Sequence, residues 1–124
     1  MIINHNYITN CLKAYNKVFQ LPTMPQVMVI YGESDNCGMM NIFCAEYGDN
    51  ITREVMYIYP DAIEYTAKVD NVSNEQMALE TIFHEYIHYF THMSGGDLFA
   101  HDGKIWDSMV TLAIDANFIT RREI

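Results

Sequence analysis

Positive charge is scarce in this chain. Seven Lys and Arg stand against 16 Asp and Glu, for a net charge of −9 over 124 residues. Between Arg53 and Lys104 the single basic residue is Lys68. Sequence-independent nucleic-acid binding depends on neutralising phosphates, so this balance argues against nucleic acid as a partner. The basic dipeptide Arg121-Arg122 reads as a complement to a helix C-terminus. Acidity is first a matter of solubility, and a surface that imitates nucleic acid is the sharper alternative.

Cysteine is sparse as well. Cys11, Cys37 and Cys44 form an odd set with no C-x-x-C. Neither a disulfide framework nor a zinc ribbon is therefore indicated. Free, buried thiols fit a reducing compartment, so a cytoplasmic location is expected. No apolar run approaches the ~20 residues of a membrane span. Asn4, His5, Asn6 and Asn10 interrupt any secretory hydrophobic segment at the start. Repeats, low-complexity tracts and long linkers are missing too. The length suits one domain, residues 1–124, around one core. Half of the residues are hydrophobic, with nine Tyr and nine Met, which predicts a bulky, adaptable interior.

Residues from about Asn4 to Gln20 read as a first helix. Tyr7, Ile8, Cys11, Leu12, Tyr15, Val18 and Phe19 form one stripe, and Pro22 and Pro25 end it. Val27–Tyr31 reads as a strand. Gly32–Gly38 is a polar turn region. Met39–Tyr47 and Thr52–Tyr59 read as two more strands, with Gly48-Asp49-Asn50 as a hairpin turn between them. Asp61–Asn71 reads as a loop with a helical turn. Ser73 is an N-cap with Gln76 three residues on, so a helix runs from there to about Met93. Gly95-Gly96 stops it, and a loop carries Asp97–Gly103. A last helix is expected over Lys104–Thr120, with Ile105, Met109, Leu112, Ala116 and Ile119 at core spacing. Strands early and helices late predict an α+β fold.

The chemistry-bearing stretch is His84-Glu85-Tyr86-Ile87-His88, an H-E-x-x-H pattern inside the long helix. Positions four apart share a helix face, with Cβ atoms ~5–6 Å apart. Two imidazoles at that spacing can hold one zinc ion, and Glu85 can reach a water on it as general base without ligating it. Chance produces this pattern in on the order of 1% of chains of this composition.

Catalytic zinc needs a third protein ligand and an open position. His92 is one further turn along the helix, and a straight helix cannot wrap three such residues around one tetrahedral ion. It reads as facing solvent or supporting the ligands. A metzincin would carry its third histidine where this chain has Ser94, so that arrangement is excluded. His101, on the loop before the last helix, can be brought back to the metal. Asp107 is the alternative, at the spacing where thermolysin-like enzymes place a glutamate. Asp97 and Asp102 are loop acids with proximity alone in their favour. Cys37 has metal-binding chemistry, but nothing in the sequence puts it near the helix. Tyr86, Tyr89 and Trp106 read as packing residues.

The run Leu79-Glu80-Thr81-Ile82-Phe83-His84-Glu85-Tyr86-Ile87-His88, with His101-Asp102-Gly103-Lys104-Ile105-Trp106, resembles the SprT-like (Spartan-related) zinc metalloproteases. The resemblance spans roughly Val27–Met109 in order of elements. It implies a minimal gluzincin-type, zincin-like fold: an N-terminal helix, a three-stranded sheet, the H-E-x-x-H helix and a final helix. It also implies Zn²⁺ held by His84, His88 and His101, Glu85 as the catalytic base, and a protein or peptide substrate. In such enzymes the substrate adds to an edge strand of the sheet, here Met39–Tyr47 or Thr52–Tyr59. The basic segments and cysteine zinc ribbon of members acting on DNA–protein crosslinks are missing, and Asp102 separates His101 from Gly103. The expectation is therefore a stand-alone zinc endopeptidase with no nucleic-acid or membrane partner. Two other readings compete with it: a domain stapled by zinc without catalysis, and an acidic protein-interaction module without metal.

Overall fold

In a computed structural model, which describes residues 2–44 and 52–124, the chain forms four helices and a three-stranded sheet. The elements are α1 (His5–Phe19), β1 (Gln26–Val29), β2 (Gly38–Cys44), β3 (Thr52–Ile58), α2 (Pro60–Asp70), α3 (Asn74–Met93) and α4 (Lys104–Asp115). This is an α+β fold, as the segregation of strands and helices predicts.

Local chemistry sets most boundaries. Asn4 accepts a hydrogen bond from the Tyr7 backbone N–H at 2.9 Å and caps α1. The chain leaves α1 through Gln20 in the left-handed conformation. The Ser73 hydroxyl accepts from the Gln76 N–H at 3.0 Å and starts α3. Gly95, at φ +82°, lets the chain turn back after α3, with its N–H donating to the His92 carbonyl.

The sheet order is β1-β3-β2. β1 runs parallel to β3, and β2 pairs antiparallel to it with Gly38 opposite Ile58 and Cys44 opposite Thr52. The antiparallel pairing agrees with a hairpin, although Gly48-Asp49-Asn50 lies outside the described residues. β3 is the central strand, so of the two expected substrate-edge segments Thr52–Tyr59 is ruled out. β2 is an edge strand among the described residues.

Asp61–Asn71 departs from expectation. It is a full helix, α2, rather than a loop with one turn. Pro60 sits at its first turn, where a missing N–H costs nothing, and Asn71 ends it in the left-handed conformation. The last helix is shorter than expected. It stops at Asp115, and Asn117 at φ 61° breaks the spacing that pointed to Thr120. Leu112 is exposed, and α4 instead buries Trp106, Met109, Val110 and Ala113.

The core lies between α3 and its surroundings. Tyr15 of α1 packs edge-on against Phe83 and Tyr86 of α3, with ring centres 5.1 Å apart in both pairs, and against Phe118 at 4.8 Å. Tyr86 donates to Asn16 Oδ1 at 2.7 Å, and Tyr89 shares a hydrogen bond with Thr23 at 2.8 Å. Both hydroxyls are thus tied to α1 and the segment after it. This packing fixes one side of α3 and leaves the side bearing His84 and His88 toward α4 and the loop before it. No helix among the described residues is long and apolar enough to cross a membrane.

Candidate metal centre

α3 holds His84 and His88 on adjacent turns, and the loop entering α4 returns His101 to them. One ligand atom from each of the three imidazoles lies within 4.8 Å of the others. Ring centres are 5.0 Å apart for His84 and His88, 5.2 Å for His84 and His101, and 4.6 Å for His88 and His101. Trp106, in the first turn of α4, packs its indole against all three rings at 5.1 to 5.5 Å.

The orientation of His84 follows from one hydrogen bond. Its Nδ1 lies 2.7 Å from the backbone oxygen of Ile124. A carbonyl oxygen can only accept, so Nδ1 carries the proton. In the neutral ring Nε2 then has a free lone pair. That Nε2 is 3.3 Å from His88 Nε2. Two nitrogens bound at ~2.0–2.1 Å to one tetrahedral ion stand about 3.3–3.4 Å apart. The donor set therefore fits a metal ion, and no second group of three convergent His, Cys, Asp or Glu ligands exists among the described residues.

Burial favours the neutral form of His84 and His88. His88 is pushed down to about 4 by desolvation first, then by His84 and His101, against weaker opposition from the Leu98 backbone and Asp97. Its Nδ1 is buried without a geometrically complete hydrogen bond among the described residues. Desolvation also lowers His84, offset in part by the Ile124 carbonyl. Neutral imidazole is the form that ligates a metal.

Glu85 stands beside this cluster. Its Oε1 is 4.0 Å from His84 Nε2, the nitrogen that faces His88. The residue is 6% exposed, and its Oε2 has no hydrogen-bond partner among the described residues. Burial alone pushes its carboxyl up to about 7. The carboxylate reaches this position because β2 begins with Gly38. A Cβ there would lie 2.9 Å from Glu85 Cγ and 3.0 Å from Thr81 Cγ2.

The remaining sequence candidates fall elsewhere. Asp107, Asp97 and Asp102 are exposed and outside the convergent set. Phe99 N–H donates to Asp97 Oδ1, which makes Asp97 a local loop brace. His92 faces away and approaches Glu54 of β3 at 3.6 Å. Cys37 lies close to α3 after all. It shares a cavity with Thr81, His84 and Glu85, and its thiol donates to Thr66 Oγ1 at 3.3 Å.

Three participants are not evident from the sequence. Ile124 orients His84. Glu80, one turn before His84, is 4% exposed and paired with Arg121. Arg121 therefore serves a buried acid of α3 and not a helix end, while Arg122 donates to Thr111. The one signal for Glu80 was an acid on the Met77-Thr81-His84-His88 face of the helix.

Comparison with known proteins finds no matching family model, no matching curated protein and no matching solved structure.

Proposed function

We propose that the chain is a zinc-dependent peptide-bond hydrolase of the SprT-like kind. The observation that carries this reading is the buried, unmatched carboxylate of Glu85 beside three convergent imidazoles. A staple that only holds a fold together has no use for a desolvated acid next to its ligands.

His84, His88 and His101 would hold the ion, and donor type and spacing favour zinc. Zinc bound there would supply Lewis acidity, lowering the pKa of water toward ~7 and polarising a carbonyl. Glu85 takes the proton of the attacking water and delivers it to the leaving amine. Burial raises the affinity of the Glu85 carboxyl for a proton, which favours its uptake of a proton from that water. Trp106 packs its indole against all three imidazoles and covers part of the cluster. β2, an edge strand that meets Glu85 through Gly38, offers backbone groups along which an extended peptide can lie.

The test is a peptide mixture incubated with zinc-loaded protein and read by mass spectrometry. Glu85→Gln should retain stoichiometric zinc and lose at least ~10²-fold in cleavage rate. Equal cleavage by wild type and Glu85→Gln would remove Glu85 from the reaction. Zinc retention with no cleavage by either protein would leave the zinc-stapled module.

A further inference from the structure

A cavity of about 280 Å³ opens directly beside His84 and Glu85, between α3, the start of β2 and residues 121–124. It is smaller than the ~300–1,000 Å³ of sites that take a drug-sized ligand, and suits a single long side chain. Its lining is strongly one-signed: Asp70, Glu80, Glu85 and Glu123 against Arg121 alone.

The deciding feature is Glu80. It is 4% exposed, and Arg121 Nε binds its Oε1. Its other oxygen, Oε2, is buried with no partner among the described residues. A buried carboxylate that keeps an unmatched oxygen is costly unless something arrives to match it. Arg121 already demonstrates the chemistry that satisfies it. A divalent cation fits less well, because the carboxylates of this cavity do not converge on one point as the three imidazoles do.

We propose that this cavity is the specificity pocket of the enzyme and takes a lysine or arginine side chain next to the bond that is cut. The inference rests on the peptidase reading for the words "next to the bond", but the pocket itself does not. Glu80 Oε2 is closed to solvent while Arg121 is seated, so the ammonium or guanidinium group reaches this carboxylate by displacing Arg121. Met77, Cys37 and Thr81 line the same cavity and border the aliphatic stem. The net charge of −9 attracts such basic segments over a longer range. Arg121 is a resident competitor that neutralises Glu80 until a substrate cation enters.

Calorimetric titration of the zinc-loaded full chain tests this without requiring turnover. The probes are alanine pentapeptide amides with Arg, Lys, Leu or Glu at the centre. The Arg and Lys peptides should bind about tenfold or more tighter than the Leu peptide, with the Glu peptide weakest. Glu80→Gln, nearly isosteric, should erase that preference, and Arg121→Ala should strengthen it. Equal binding of all four peptides, or an unchanged preference in Glu80→Gln, overturns the pocket. If Glu80→Gln fails to fold, weaker Arg-peptide binding in Arg121→Ala than in wild type overturns it instead. A basic preference without hydrolysis would defeat the peptidase reading and leave the pocket standing.

Discussion

Gly38 and Glu85 touch at a distance that admits no side chain between them: a Cβ on Gly38 would sit 2.9 Å from Glu85 Cγ. The first residue of the edge strand thus sets the position of the acid on α3. Gly38→Ala should cost roughly 1–3 kcal/mol from overpacking. It should also move Glu85 and so reduce peptide cleavage more than it reduces zinc affinity. Denaturant unfolding together with parallel zinc and activity titrations checks this. Equal losses in both would mean that Gly38 supports the fold in general.

Metal content gives the second prediction. Wild-type protein should retain close to one zinc per chain through dialysis. His84→Ala, His88→Ala and His101→Ala should each lose it, whereas Asp107→Ala should not. Zinc at a hundred times its Kd should stabilise the wild type by about 2.7 kcal/mol. Elemental analysis and thermal melts are the measurements. Loss of zinc in Asp107→Ala would displace His101 from the ligand set.

Burial of Glu85 makes the metal-free protein sensitive to pH. The folded state holds the Glu85 proton up to about 7, against an ordinary 4.5. The stability contributed is complete below 4.5 and is lost as pH rises through 7. His88 acts in the opposite sense. Its folded value of about 4 lies below 6.5, so stability is lost as pH falls from 6.5 toward 4. In chelator, Glu85→Gln should therefore be more stable than wild type at pH 8, by at most about 3 kcal/mol, and equal to it near pH 4. Urea unfolding at the two values tests the sign, and a variant less stable than wild type at pH 8 would contradict it.

The backbone oxygen of Ile124 orients the candidate ligand His84 through its Nδ1. Such supporting contacts change affinity by ~10–100-fold. A chain lacking Ile124 alone should lose zinc affinity within that range while keeping all three ligands and the Arg121–Glu80 pair. Competition with a chromophoric chelator measures it. His92→Ala is the control on the same helix: it faces Glu54 and should leave zinc affinity unchanged.

Much of the site was legible because it depends on local periodicity. The Ser73 cap and the spacing of His84 and His88 fix a shared helix face before any tertiary contact is known. His101 required one more step, a loop that doubles back, and Asp107 could not be discarded from sequence alone. The misread segments had local signals that pointed two ways. Pro60 closes a strand as well as it opens a helix, and α2 followed from the second role. Spacing at Ala116 and Ile119 continued a helical pattern past a left-handed Asn117 that stops it. Contacts such as Glu80 with Arg121, or Gly38 with Glu85, join distant parts of the chain. No periodicity reports them; they emerge only when β2 and residues 121–124 close over α3.

Trp106 is the only tryptophan in the protein, and its indole lies against all three imidazoles. Its fluorescence is consequently a built-in optical gauge of the centre. An ion entering the cluster alters the electric field and quenching groups at the emitter. Zinc added to the unlabelled chain should therefore change its emission, with no background from a second tryptophan.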